Sequence, residues 1–180
     1  MVSAALLLMV AAQAGPLIDR YGEGGTSVSP SGRWRVVAPP NRGDDPYARA
    51  MLVGPGVRRG IDYLRMLRVV WPQDRQHVIL AHVALDGEVL TVHALAPRDR
   101  VPAQAIEQSL EREMMGRAPL LEAVDRQEID FGTLCGILCV RVEQAGTAKG
   151  RKMGSFVSRT GRFRLDLVRG RAIPVKKCPM

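Results

Sequence analysis

Aromatic residues are scarce in this sequence, because Phe, Trp and Tyr together make up only 4% of its 180 residues. Proteins that hold single-stranded nucleic acid stack its bases on exposed aromatic rings, so the scarcity argues against nucleic acid as a partner. Hydrophobic residues still make up 46% of the chain, which excludes a disordered protein. We therefore expect one folded domain whose core is built from aliphatic side chains.

Motifs of known catalytic chemistry are also missing. There is no Gly-x-Ser-x-Gly nucleophile elbow, and the three cysteines have no basic residue placed to activate them. In the stretch from Gly54 to Gly60, the third glycine comes one position too late for a dinucleotide-binding loop. We expect a protein that is not an enzyme and that needs no cofactor or metal.

Charged side chains are absent from the first 14 residues, which end in Ala12-Gln13-Ala14. The apolar run is too short to span a bilayer, which takes about 20 residues, and the small-x-small ending is typical of signal peptidase cleavage. We expect residues 1–14 to be a signal peptide, the protein to be periplasmic or secreted, and no integral membrane segment. The alternative is a buried N-terminal helix.

Export would place the three cysteines in an oxidising compartment. Cys135 and Cys139 lie four residues apart in a predicted strand, or about 13 Å, which is too far for a disulfide between them. The expected disulfide joins Cys178 to either Cys135 or Cys139, and the cysteine left over is a small core residue.

A β-hairpin is predicted at His77–Leu95, where two apolar runs meet at Asp86-Gly87. A two-residue turn at that pair sets Leu85 opposite Glu88 and gives the hairpin two different faces. One face is apolar and belongs against a core. The other is mixed, and it carries His82 and His93 as diagonal neighbours about 7 Å apart.

A single helix is predicted after the hairpin, because Ile106, Leu110 and Met114 recur every fourth position between Pro102 and Gly116. Strands are predicted at about 135–142, 153–158 and 162–168, with a loop at 144–150 and a turn at Thr160-Gly161. The predicted class is α+β: a mostly antiparallel sheet with one main helix after a central hairpin, then a three-stranded meander. We place a flexible lead-in at 15–31, the α+β domain at 32–170 and a basic C-terminal tail at 171–180.

This order of elements resembles the Mog1/PsbP-type α/β/α sandwich of small exported bacterial proteins. The resemblance covers about residues 32–168 and includes an opening strand that ends at Pro39-Pro40 and a last strand that reads Phe163-x-Leu-x-Leu. It implies a fold and a non-enzymatic binding role, without site residues. Two segments, Ser29–Trp34 and Trp71–Leu80, are similar to blade openings of a β-propeller, but the lack of a repeat argues against that fold.

Positive charge is concentrated in the C-terminal third. From Arg141 onward, eleven Lys and Arg face two acidic residues, a balance of +9 in a chain whose total is +8. Such a surface attracts anionic or acidic partners. The expected binding residues are Arg162, Arg164, Arg169, Arg171, Lys176 and Lys177. The alternative is that these charges keep the protein soluble and guard a sheet edge.

These patterns predict an exported binding or accessory protein that engages an envelope protein or an anionic envelope surface through its basic C-terminal third. The alternative is a metal-dependent or hydrolytic envelope enzyme that uses His82 and His93. A catalytic zinc takes three protein ligands, and the hairpin offers no third ligand on the face of these two. The oligomeric state does not follow from the sequence.

Overall fold

Antiparallel strands account for most of the described chain. A computed structural model describes residues 17–20, 23–40, 47–84, 87–95, 103–134, 137–150 and 155–178. The predicted signal peptide at 1–14 and the residue Cys135 lie outside these ranges. Apolar and polar residues alternate along the strands, so that each strand turns one side toward a core.

The first sheet, here the N-terminal sheet, has seven strands in the order β2-β3-β4-β5-β6-β7, and β1 also pairs with β5. The second, the C-terminal sheet, has the order β11-β10-β9-β8. The strands of the N-terminal sheet are β1 (Leu17–Arg20), β2 (Gly25–Val28), β3 (Arg35–Ala38), β4 (Tyr47–Gly54), β5 (Val57–Val70), β6 (His77–Ala84) and β7 (Gly87–Ala94). Those of the C-terminal sheet are β8 (Leu121–Leu134), β9 (Ile137–Ala148), β10 (Phe156–Asp166) and β11 (Arg171–Pro174), and helix α1 (Ala103–Met115) lies between the sheets in sequence.

The predicted α+β class is wrong, because the part of the chain that the structure describes is β-rich, with 64% of it in strands and 9% in helix. The helix is present after the hairpin, but the meander that follows has four strands. Residues 121–134, whose pattern is weak, form β8 because its backbone pairs with β9 along nearly its whole length. Because of the same pairing, β9 extends to Ala148, so most of the predicted loop at 144–150 is strand.

The predicted turn at Thr160-Gly161 is also wrong, because both residues lie inside β10 and pair with β9. Gly161 is needed for packing: a Cβ there would lie 2.5 Å from Sδ of Met114 and would overlap the ring of Phe163. Glycine at this position therefore leaves room for Met114 of the helix and for the ring of Phe163, and it does not mark a turn.

The hairpin of β6 and β7 forms with a different register. Ala84 pairs with Gly87 and His82 with Val89, so the predicted pairing of Leu85 with Glu88 is wrong. The backbone of Gly87, at φ 118°, lies so close to Gln127 that a Cβ would be 2.5 Å from the Gln127 amide nitrogen. The observed register is therefore accompanied by a contact between Gly87 and β8, and the sequence of the hairpin alone does not indicate this contact. Each residue keeps its predicted face because the pairing differs by two positions.

Two apolar cores lie on opposite faces of the N-terminal sheet. The inter-sheet core lies between β6, β7, α1 and the C-terminal sheet, and includes Ile79, Val92, Ile106, Met114, Val140 and Phe163. The second core is formed by β3 to β6 and includes Val36, Leu52, Tyr63, Leu67, Val78 and Leu80. Trp71 Nε1 donates to Ser27 Oγ at 2.8 Å, although β2 and β5 are not sheet neighbours. This bond joins the segment after β5 to β2 beside the second core.

Helix α1 bridges the edges of the two sheets. Ser109 Oγ accepts the backbone amide of Ala172 in β11 at 3.0 Å, and the carboxyl of Glu107 accepts the amide of Val92 in β7. Burial raises the pKa of Glu107, and this hydrogen bond opposes the effect only in part. The helix thereby covers two strand edges that would otherwise be open to pairing with another chain.

A row of polar side chains, here the polar rung, crosses the core face of the C-terminal sheet. Arg159 Nε donates to Gln144 Oε1 at 2.9 Å, and Gln144 Nε2 donates to Gln127 Oε1 at 2.6 Å. Gln127 Nε2 then donates to the Glu88 carbonyl at 2.7 Å. Arg159 is only 6% exposed, and this burial lowers its pKa. The polar rung therefore ties the two sheets together by hydrogen bonds.

The predicted lead-in and the predicted basic tail both contain strands. β1 and β2 lie within the predicted flexible lead-in at 15–31 and pair with β5 and β3. β11 lies within the predicted tail at 171–180 and pairs with β10. Of the two disulfides left open by the sequence, the structure has Cys139–Cys178, with the Cα atoms 6.0 Å apart.

Candidate functional site

A cleft of about 380 Å³ opens at one end of the inter-sheet core, beside the turn that leads into β6. Its walls come from that turn, from the start of β9 and from the end of β10, three segments that are far apart in sequence. The apolar lining consists of Pro72, Ile137, Leu138, Leu165, Leu167 and Val168, and the polar lining of Gln73, Asp74, Arg164 and Asp166. The volume lies within the range of small-molecule sites, about 300–1,000 Å³.

Asp74 organises the turn on one wall of this cleft. Its Oδ1 accepts the backbone amides of Gln76 at 3.0 Å and His77 at 3.3 Å, and its Oδ2 lies 2.6 Å from His77 Nδ1. Burial raises the pKa of Asp74, but the hydrogen bonds from His77 and Gln76 outweigh it and hold this pKa below its ordinary value. The carboxylate is therefore charged and engaged with its own turn.

His77 is the buried member of this pair. Its side chain is 4% exposed, and its Nε2 has no hydrogen-bond partner among the described residues. The sequence patterns indicate no role for His77. The available signal was an aspartate three residues upstream, in a turn that begins with Trp71-Pro72, since Asp side chains commonly bind backbone amides just ahead.

The opposite wall carries Arg164 and Asp166, which lie on the outer face of β10. Asp166 Oδ1 accepts the backbone amide of Arg169 at 3.0 Å, and its Oδ2 lies 4.0 Å from Arg169 Nη1. Arg164 has no hydrogen-bond acceptor and no ion-pair partner among the described residues. Arg164 is thus the charged residue of the lining that the described protein leaves uncompensated.

The six predicted binding residues form one region, here the basic surface (Arg162, Arg164, Arg169, Arg171, Lys176 and Lys177). Arg164 pairs in register with Cys139 on one side and Ile173 on the other, and Arg171 lies opposite Asp166. The disulfide brings Cys178 to Cys139, and the amide of Val175 donates to the Arg162 carbonyl at 2.9 Å. Lys176 and Lys177 are therefore held beside Arg162 and Arg164.

Two other cations of the C-terminal third, Arg141 and Arg159, do not belong to this surface. Arg141 Nε donates to Asp130 Oδ2 at 3.0 Å, which neutralises it, and this pair raises the pKa of Arg141. Arg159 lies inside the protein in the polar rung. The charge count from the sequence therefore overstates the number of cations available to a partner.

His82 and His93 share one face of the hairpin, as predicted, but not as diagonal neighbours. His93 lies opposite Val78 and His82 opposite Val89, so four residues separate their positions along the strands. His93 Nε2 lies 3.1 Å from Thr91 Oγ1, and Nδ1 of His82 is buried without a partner among the described residues. No group of three His, Cys, Asp or Glu side chains in the described chain could hold a metal ion.

These histidines make stability depend on pH. Burial, followed by repulsion from Arg59 and His82, lowers the pKa of His93 to about 4, and burial also lowers the pKa of His82. An unfolded histidine titrates near 6.5, so between pH 6.5 and 4 the unfolded state binds more protons. Stability that is complete above pH about 6.5 is lost as pH falls toward 4, by about 1–3 kcal/mol.

We expect His93→Gln to reduce the loss in the free energy of unfolding between neutral pH and pH 4. Urea unfolding at a series of pH values in this range measures it. The wild-type protein is the reference, and both proteins are compared by the change from their own value at neutral pH. A wild-type slope that survives the substitution unchanged would contradict the role of His93.

No protein-family model, no curated protein and no solved structure matches this chain. The resemblance to the Mog1/PsbP-type sandwich therefore stays a prediction. Within the described ranges, no helix has both the length and the apolar character that crossing a bilayer requires.

Proposed function

We propose that this protein is an exported binding or accessory protein that engages an anionic partner of the cell envelope through the basic surface. The observation that carries the proposal is the position of the tail. The disulfide and the Val175 hydrogen bond hold Lys176 and Lys177 beside the arginines of β10. Clustered cations attract anionic surfaces and acidic proteins, at about 1 kcal/mol per residue for an anionic lipid surface.

Two further features support this role. Arg162 is exposed and lies directly opposite Arg141 in the sheet. Because Asp130 pairs with Arg141, Arg162 keeps its charge for an anionic partner. The disulfide is typical of proteins in oxidising compartments, which supports location in the periplasm or secretion. No specific observation favours the alternative of a hydrolytic or metal-dependent enzyme built on His82 and His93.

The test is charge reversal on the basic surface. The variant Arg162→Glu, Arg164→Glu, Arg169→Glu, Arg171→Glu is expected to bind phosphatidylglycerol vesicles at least about a hundredfold more weakly than the wild-type protein. Wild-type binding should also weaken as salt is raised, because salt screens exposed charges. Vesicle co-sedimentation measures both effects, and soluble polyglutamate serves as the probe for an acidic protein.

The control changes the net charge equally at four other exposed arginines: Arg33→Glu, Arg35→Glu, Arg58→Glu, Arg112→Glu. We expect this protein to keep most of the wild-type binding, because its basic surface is intact. Equal losses in the two variants would mean that only net charge matters and would overturn the proposal, as would failure of the wild-type protein to bind either probe.

A further inference from the structure

Two large aliphatic side chains are exposed at one corner of the C-terminal sheet, here the aliphatic corner (Ile137 and Val168). Ile137 begins β9 and is 41% exposed, and Val168, in the turn between β10 and β11, is 69% exposed. Both residues border the same cleft, so they lie near each other. Apolar side chains exposed together commonly mark an interaction surface.

The aliphatic corner shares a sheet face with arginines of the basic surface. Alternate residues of a strand share a face, and so do residues that pair directly across two strands. Cys139 pairs with Arg164, so Ile137, two positions before Cys139, lies on the face of Arg164. Arg171 pairs with Asp166, two positions after Arg164, and therefore lies on this face as well.

The turn between β10 and β11 places further positive charge beside Val168. Arg169 follows Val168 directly, and its side chain is 78% exposed. Arg171, at the start of β11, is also exposed. Asp166 is the acidic residue before this turn, and its Oδ1 accepts the backbone amide of Arg169 at 3.0 Å. The aliphatic corner therefore lies among cations with a positive balance.

This combination matches the surface of an anionic bilayer. The affinity of a protein for such a surface grows with the apolar area that it buries and with the electrostatic attraction to anionic lipids. Long cationic side chains can stay at the level of the headgroups while apolar side chains beside them enter the interface. A soluble polyanion, by contrast, would engage the cations alone.

We propose that the protein binds an anionic phospholipid bilayer peripherally, with Ile137 and Val168 inserted among the headgroups and the cations of the basic surface on the lipid phosphates. This inference rests on the proposed function and deepens it, because it names the anionic partner as a bilayer surface. It also fixes which corner of the protein faces that surface.

The first test removes an apolar side chain and leaves every charge in place. Val168→Ser should bind phosphatidylglycerol vesicles about fivefold more weakly than the wild-type protein, the effect of no longer transferring part of a valine side chain out of water. Its binding to soluble polyglutamate should be unchanged. The matched control is Val28→Ser, since Val28 is 56% exposed and pairs with Arg35, but lies in β2 of the N-terminal sheet. We expect this control to bind both probes as the wild-type protein does.

The second test reports insertion directly and does not depend on an affinity. Val168→Trp and Val28→Trp place a tryptophan at the two exposed positions, and phosphatidylglycerol with brominated acyl chains quenches tryptophan that enters the bilayer. The wild-type protein supplies the background from Trp34 and Trp71. We expect quenching above this background in Val168→Trp and none above it in Val28→Trp.

Three results would overturn the inference. The first is equal vesicle binding by the Val168→Ser and wild-type proteins, and the second is the absence of extra quenching in Val168→Trp. The third is an equal loss of polyglutamate and vesicle binding in Val168→Ser, because a change that affects both probes does not report insertion.

The two proposals fail separately. If Val168→Ser binds vesicles as the wild-type protein does while charge reversal still weakens binding, the inserted corner is wrong and the proposed function stands. If the wild-type protein binds polyglutamate but not vesicles, the partner is an acidic protein and again only this inference is wrong. If the wild-type protein binds neither probe, the proposed function itself is wrong.

Discussion

Removing the Cys139–Cys178 disulfide is expected to lower the free energy of unfolding by about 4 kcal/mol, the entropy that a crosslink of this span takes from the unfolded chain. The two cysteines are separated by 39 residues, so the closed loop includes β10, β11 and most of β9. The paired substitution Cys139→Ala, Cys178→Ala makes the change without introducing a buried polar group. Urea unfolding of both proteins under non-reducing conditions measures the difference.

Reduction supplies the control for this prediction. Wild-type protein treated with a thiol reductant should lose about as much stability as the double variant, and the variant should not respond to the reductant. Equal stability of the oxidised wild-type protein and the variant would contradict a structural role for the crosslink.

The same variant links stability to the proposed function. Without the crosslink, Val175 still bonds to Arg162, but nothing in the described chain holds Cys178 at Cys139. We therefore expect weaker binding to phosphatidylglycerol vesicles under conditions where the variant is still folded. The loss should be smaller than that caused by charge reversal at the four arginines, because the tail keeps its lysines and loses only their fixed position.

The second large effect is expected in the polar rung. Gln144→Leu should cost about 3 kcal/mol, because it leaves the buried guanidinium of Arg159 without its side-chain partner and removes a donor from Gln127. Gln144 is 8% exposed, so water cannot readily replace the lost bonds. Urea unfolding at neutral pH measures this cost.

A double-mutant cycle separates the pair from its surroundings. Arg159→Met alone should cost about 1–3 kcal/mol, since it leaves Gln144 Oε1 unpaired. The double variant Gln144→Leu, Arg159→Met removes the buried charge together with its partner, so we expect its cost to be well below the sum of the single costs. Strict additivity would show that the two side chains do not interact in the folded protein.

Local patterns in the sequence predicted the helix and the hairpin, because both depend on residues close in the chain. Ile106, Leu110 and Met114 line one face of α1 and enter the inter-sheet core. The two faces of the β6–β7 hairpin are also as predicted, with Ile79 and Val92 in one core and Val78 and Leu80 in the other. The separation of His82 and His93 was not predictable from local sequence, because it depends on the register of the hairpin. That register is accompanied by a contact between Gly87 and β8, which is distant in sequence.

In the candidate site, too, some features follow from local sequence and others depend on tertiary contacts. Clustered arginines and lysines near the C-terminus identify the basic surface, and cysteine spacing excludes one of the three disulfides. The cleft is different, because Asp74, Ile137 and Arg164 come from segments that meet only when the two sheets pack. No local pattern indicates that Arg164 lacks a partner in the described chain or that Arg159, three residues from Arg162, is buried.

By itself, the sequence determined the content of the protein: aliphatic cores, an amphipathic helix, a two-faced hairpin and a concentration of positive charge. Tertiary structure alone decided that weakly patterned segments such as Leu121–Leu134 are strands, which partner Cys178 takes, and which cations are paired or buried. The physical reason is that periodicity records which side of a segment is buried, whereas strand pairing, register and the pairing of charges depend on groups supplied by distant parts of the chain.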